Sequence, residues 1–198
     1  MTSPTPTDRH IISIDAESNG LGGYPFAVAL TLNELVTGTE IEQVVFRAPI
    51  IGPVDPWVAE NVLPAIADLP ETAVDYSTML GQALEVWKRW MIAHELTGSP
   101  PPITLVHVLW PVESRLLHDM FPNEQVWGGP FPVIDVAGTL DAHGYDPKTV
   151  DGYMETHQMT PPPGSPHNPL YDCRSAFMVY QHLIATAVAV GGGAWGRP

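Results

Sequence analysis

Ile11-Ile12-Ser13-Ile14-Asp15-Ala16-Glu17-Ser18-Asn19-Gly20-Leu21 decides how the rest of the chain is read. Its leading isoleucines read as a buried strand, and residues i and i+2 of a strand point to one face. Asp15 and Glu17 therefore emerge side by side at the strand's end. Two carboxylates held that close repel each other, and a cation that neutralises both best explains the arrangement. Oxygen-only ligands favour magnesium or manganese. The stretch predicts metal-assisted chemistry.

Working outward, Phe26 to Leu32 and Ile41 to Ala48 are also apolar and β-branched, with turn residues between them. Together with His10 to Ala16 they read as an antiparallel three-stranded meander. Pro53 to Pro56 break the pattern, and Trp57 to Ile66 reads as a short helix. Tyr76, Met79, Leu80, Ala83, Leu84, Trp87, Trp90, Met91 and His94 then recur at helical spacing and define one buried face. That makes Trp87 and Trp90 core residues rather than base-stacking platforms. Ile103 to Leu109 reads as a fourth strand, and Pro111 suits the first turn of the helix after it. Phe131 to Asp135 reads as a fifth strand, turning into a helix from Val136 to Leu140. After an exposed Thr160–Pro166 loop, Asn168 is a helix N-cap followed by Pro169. Leu170, Cys173, Phe177, Tyr180, Ile184 and Val188 trace the buried face of the last helix. A meander followed by αβ units predicts an α/β fold, a mixed sheet flanked by helices.

With 198 residues and 44% hydrophobic content, the chain fits one domain over residues 8–190, with flexible tails at 1–7 and 191–198. No apolar run approaches the roughly 18 to 20 residues that span a membrane, and neither end carries a signal pattern. We expect a soluble, cytoplasmic protein with no membrane partner. Cys173, the lone cysteine, reads as a small core residue in a reducing compartment. A formal charge of −14, from 22 acids against 8 Lys and Arg, argues against an extended nonspecific grip on nucleic acid. It leaves room for a local grip on one strand end, because two bound divalent ions would reverse the field at the site itself.

Three more residues fall where open α/β sheets gather ligands, at strand ends and helix starts. Glu113 follows the fourth strand, His167 immediately precedes the Asn168 cap, and Asp172 lies in the first turn of the last helix. Each has a plainer reading taken alone: acids are favourable in a helix's first turn, and a histidine beside a cap is ordinary surface. Their order and context carry more. Asp15 to Leu21 resembles the first motif of the DEDDh 3'-5' exonucleases, and His167-Asn168-Pro169-Leu170-Tyr171-Asp172 resembles the third. Trp110 to Leu117 is similar to the second, with Glu113 in place of aspartate. Asp135 fits the family's usual pattern after a short strand downstream, with no catalytic role assigned to it.

The resemblance implies a ribonuclease H-like fold and a metal-dependent 3'-5' exonuclease. In that expectation Asp15, Glu17, Glu113 and Asp172 hold two magnesium or manganese ions, roughly 3.5 to 4 Å apart. His167 is the general base toward an attacking water, and nucleoside 5'-monophosphates leave from the 3' end. Ser18, Asn19, Gly20 and Leu21 are the candidate substrate contacts. Glutamate at 113 carries its carboxylate about 1.5 Å further than aspartate unless the backbone retreats. We expect an active enzyme with adjusted metal geometry.

The expected partners are 3' ends of single-stranded RNA or DNA, with RNA slightly favoured because the compact chain resembles stand-alone bacterial or phage exoribonucleases. Arg115, Lys148 and Arg174 are the bases nearest the motifs, and Arg174 reads as a surface or interface residue. Leu21, Tyr24 and Phe26 fit either terminal bases or the core. Trp57 and Trp127 are candidate surfaces for a homodimer. Two competing readings remain open: a catalytically silent nucleic-acid-binding protein that keeps the fold, and a metal-dependent hydrolase of small nucleotides.

Overall fold

The structure, a computed structural model, describes residues 9–97, 101–122 and 129–190. Strand β1, His10–Ser18, is the middle of a five-stranded sheet and is buried from Ile11 onward. β2, Pro25–Glu34, and β3, Glu40–Arg47, pair antiparallel on one side of it as the expected meander. β4, Ile103–Val106, and β5, Val133–Asp135, add in parallel on the other side. The order β3-β2-β1-β4-β5 makes a mixed sheet.

Alternation along β1 sends its side chains into two different cores. Ile12, Ile14 and Ala16 pack with Met79, Ala83, Trp87 and Trp90 of α2, Tyr76–Ala93, and with Leu116 and Met120 of α3, Ser114–Met120. Ile11 faces the other way, toward α4, Val136–Ala142, α5, Val150–Thr156, and α6, Pro169–Val190. Trp87 and Trp90 are 1% and 0% exposed, so they are core, as their spacing predicts. A third cluster joins Phe26 and Ala27 to Val58, Val62 and Ile66 beneath α1, Pro56–Asn61.

Helix starts follow local chemistry. Asp55 caps α1 by accepting from the Trp57 amide at 2.8 Å, with Pro56 behind it. Asp75 caps α2 at the Thr78 amide, 2.7 Å away, and Asn168 caps α6 through the Leu170 amide at 3.1 Å.

Three elements differ from the sequence reading. The fourth strand stops at Val106, because the chain from Leu109 to Glu113 forms a π-type turn with an extended residue, Trp110, inside it. Asp135 Oδ2 holds that turn by accepting from the Leu109 amide at 3.1 Å. Pro111 therefore sits in this turn and not in the first turn of α3. The helix expected over Trp57 to Ile66 is regular only to Asn61 and continues as a series of turns. Helix α5 has no counterpart in the reading; its 7 residues make barely two turns and carry only a weak period. Among the described residues no helix is long and apolar enough to cross a membrane.

Candidate active site

Asp15 and Glu17 lie on the Ile11 face of β1, toward α6. Directly opposite them in β2 stand Ala29 and Ala27, whose small side chains let α6 approach the sheet. The Cys173 thiol donates to the Ala29 carbonyl at 3.4 Å across that contact. The β1–β2 register shifts after Glu17, so the chain leaves the sheet just past the second acid. Gly20 then turns the backbone at φ +74°, a conformation that favours glycine.

Glu113 reaches the same place from the far side. β1 pairs with β4 only through Ser13, and further along the Ala16 amide donates to the Glu113 carboxylate, as does the amide of Glu113 itself. Asp172 stands in the first turn of α6 and accepts from the His167 backbone amide at 3.0 Å. His167 adopts φ +66°, left-handed and costly for a side-chain-bearing residue, so the loop before α6 is bent to present its ring. His167 Nδ1 lies 3.8 Å from Glu17 Oε1. One ligand atom each from Glu17, His167 and Asp172 fall within 4.8 Å of one another. All five residues line one cleft of about 670 Å3.

The electrostatics of this cluster are severe. Burial first, then the charges of Asp172, Glu113 and Glu17, raise the Asp15 carboxyl well above the usual carboxylate range. Glu17 is pushed up to about 9 by burial and by Asp172 and Glu113. Burial lifts Glu113 to about 8 against the pull of its two amide donors, and Asp172 to about 7 against the His167 amide. Burial moves His167 the other way, lowering it below the ordinary imidazole value despite Asp151. Four carboxylates, three of them buried, that cannot all ionise together are suited to a hard divalent cation, whose charge would remove the penalty they share.

Of the four candidate substrate contacts, Ser18, Gly20 and Leu21 line the cleft, and Leu21 is 76% exposed there. Asn19 does not. Its side chain donates to the Pro53 carbonyl and accepts from the Asp55 amide, both at 2.8 Å, pinning the first-motif turn to the start of α1. Phe26 is core, and Tyr24 packs on Tyr76 beneath the Arg115 guanidinium. Arg115 donates to the Gly22 and Gly23 carbonyls, while Arg174 forms a bidentate pair with Glu40 at 2.7 Å. Both arginines brace the fold. Lys148 lines the cleft.

Several cleft residues escape sequence reasoning. Asp151, in the unpredicted helix α5, lines the cleft and accepts from the Tyr171 hydroxyl at 2.6 Å. His107, just beyond β4, also lines it, with Nε2 buried and lacking a hydrogen-bond partner. Trp57 meets the His167 ring edge-on, with centroids 5.1 Å apart. No local spacing signals a contact between residues so far apart in sequence. Trp57 is thus a wall of the site, while Trp127 lies outside the described residues.

No protein-family model and no curated protein matches the chain by sequence. Solved structures do match in shape. The nuclease domain of 3'hExo, a DEDDh family member bound to rAMP, superposes with a TM-score of 0.66 over 92% of this chain and 95% of its own, at 16% identity. E. coli Exonuclease I in complex with a dT13 oligonucleotide gives 0.67 over 93% of this chain, at 10% identity; this chain spans only 43% of it. Cell-death related nuclease 4 gives 0.62 at 12% identity, covering 91% of this chain and 65% of its own. At these identities the likeness is one of fold, and the chain carries the α/β, ribonuclease H-like fold of 3'-5' exonuclease domains.

Proposed function

We propose that this protein is a metal-dependent 3'-5' exonuclease that removes nucleoside 5'-monophosphates from single-stranded nucleic acid, with RNA slightly favoured over DNA. The observation that carries the reading is the convergence of three buried carboxylates, the half-buried Asp172 and one histidine on a single cleft. The fold shared with 3'hExo and Exonuclease I supports it, since those proteins were captured with rAMP and a dT13 oligonucleotide.

Asp15, Glu17, Glu113 and Asp172 would hold two magnesium or manganese ions. Such ions supply a nucleophile at neutral pH and stabilise the charge on the leaving 3'-oxygen. The chain's own residues do the rest. His167 Nδ1 faces Glu17, which leaves Nε2 to take a proton from the attacking water. Its lowered pKa keeps the ring neutral, and so able to accept, at pH 7. Trp57 limits the ring's freedom from one side, and the hydrogen bond that the His167 amide donates to the Asp172 carboxylate fixes the backbone that carries it. Leu21 offers an apolar surface to a terminal base.

The test uses 5'-labelled RNA and DNA strands with manganese, magnesium or chelator. A metal-dependent ladder shortening from the 3' end, absent in Asp15→Ala and Glu113→Gln and strongly reduced in His167→Ala, is the expected result. Intact strands from folded protein would overturn the reading. Cleavage confined to mononucleotide substrates would replace it with a small-nucleotide hydrolase.

A further inference from the structure

The cations of this acidic chain are few enough to follow one by one. Arg47 donates to the Ile66 and Leu69 carbonyls at 3.1 and 2.9 Å, beneath the loop after α1. Arg89 pairs with Glu42 at 3.2 Å, and Arg174 with Glu40. Arg115 is committed to the Gly22 and Gly23 carbonyls and to the face of Tyr24, beside the cleft but not lining it. Arg9 precedes β1, and six residues of strand, about 20 Å, separate it from Asp15 at the opposite end. Lys88 lies on the exposed side of α2, the helix that covers the other face of the sheet. Arg197 is outside the described residues.

Lys148 is different. Among the described residues it is the one Lys or Arg that lines the cleft, and its ammonium has no ion-pair partner there. Its backbone is fixed by the Asp146 side chain, which accepts from the Lys148 amide at 2.9 Å, immediately before the Thr149 cap of α5. The other charged residues of the cleft wall, Asp55 and Asp151, are acids that would repel a phosphate chain leading away from it. The cleft volume, about 670 Å3, is within the roughly 300 to 1,000 Å3 of a small-ligand site, and in the hollow that adjoins it at Leu21 the lining Arg115 is already committed to the Gly22 and Gly23 carbonyls.

We infer that Lys148 is the side-chain phosphate contact of this cleft, and that the substrate is gripped through only its last one or two nucleotides. This rests on the exonuclease reading and narrows its substrate class to single strands for which length beyond about three nucleotides adds no affinity. Proteins that track a strand combine a basic groove with stacking residues over about 4 to 16 nucleotides. Among the described residues a single Lys or Arg lines this cleft.

Counterion release turns this into a measurable slope. On single strands each neutralised phosphate contributes about −0.7 to the slope of log affinity against log salt. One contact gives about a 2.6-fold loss between roughly 50 and 200 mM salt, whereas six would give a loss of several hundredfold. The experiment measures kcat/KM across that range at fixed manganese, on strands of about 3 and about 20 nucleotides, for the unsubstituted protein, Lys148→Gln and Lys88→Gln. Binding is followed in parallel by fluorescence anisotropy with calcium in place of manganese.

The expected result is a shallow slope, affinities within about threefold for the two lengths, a nearly flat slope in Lys148→Gln and no change in Lys88→Gln. A slope of −2 or steeper, a tenfold gain with length, or an unchanged slope in Lys148→Gln would overturn the inference. Absence of metal-dependent shortening would instead sink the exonuclease reading, and the anisotropy slopes would still decide whether Lys148 is the contact.

Discussion

Without a bound cation this protein should be a molecule that dislikes neutral pH. Asp172 titrates near 7 in the fold against an ordinary value of 3.8, and Glu17 and Glu113 near 9 and 8 against 4.5. Between about pH 4 and pH 9 the folded chain therefore holds protons that the unfolded chain has released. Stability is full below the unfolded values and is lost as pH rises through the folded ones. One pKa unit is worth about 1.36 kcal/mol, so Asp172 alone accounts for a loss of about 3 kcal/mol between pH 5 and pH 8. At about 2 to 4 °C per kcal/mol for a chain of this size, Tm in chelator should fall by about 10 °C from pH 5 to pH 8. Scanning calorimetry or dye-based melting in chelator across that range is the assay. Manganese at about 100 times its Kd should restore about 2.7 kcal/mol at pH 8, and Asp172→Asn should flatten the fall. A Tm that holds or climbs with pH in chelator would mean that the acids are not forced together.

Glu113→Asp draws the carboxylate back by about 1.5 Å from the Ala16 amide. The metal-dependent rate should drop by about 10- to 100-fold with little change in melting temperature, and a rate equal to the parent's would mean that the π-type turn does not fit glutamate. Trp57→Ala removes the edge-on neighbour of His167; kcat should fall about 3- to 10-fold while Trp57→Phe keeps most activity, read as steady-state kinetics on a labelled strand. Arg174→Ala breaks the Glu40 pair, whose side chains are 23% and 29% exposed, and should cost about 2 kcal/mol in urea titration while leaving kcat/KM intact. A large loss of kcat/KM there would return Arg174 to the substrate path.

The parts of the fold that can be read from sequence are those in which one residue's environment repeats at a fixed interval. The isoleucines of β1 and the tryptophans of α2 report their burial through such a period, and Asn168 reports the start of α6 through a cap that needs only its neighbours. Where a segment spans barely two turns, the signal is weak. Helix α5 buries Val150, Tyr153 and Met154 in 7 residues, and that is too little to distinguish a helix from a loop. The end of β4 fails for another reason: Val106, Val108 and Leu109 continue the apolar pattern of the strand, and what diverts the chain is the Asp135 carboxylate holding the Leu109 amide from another strand.

The same distinction divides the cleft. Asp15 and Glu17 share a face because strands have period two, and Asp172 is held near a helix start, so local rules place each of them, while the order of the three motifs is what proposes that they meet. Lys148, Asp151, His107 and Trp57 reach the cleft through loops whose course no local rule predicts. Asn19 shows the cost of reading a motif as a unit: it lies between two cleft residues, yet its side chain turns away to clip Pro53 and Asp55. That clip is what brings α1, and with it Trp57, against His167. A residue placed among candidate substrate contacts thus works one step back, on the helix that shapes the histidine's surroundings. Asn19→Ala should therefore affect kcat through His167 in the same direction as Trp57→Ala. The double variant Asn19→Ala/Trp57→Ala should lose little more than Trp57→Ala alone, because both substitutions release the same ring. Fully multiplicative losses in steady-state kinetics would separate the two contacts and assign Asn19 to the substrate.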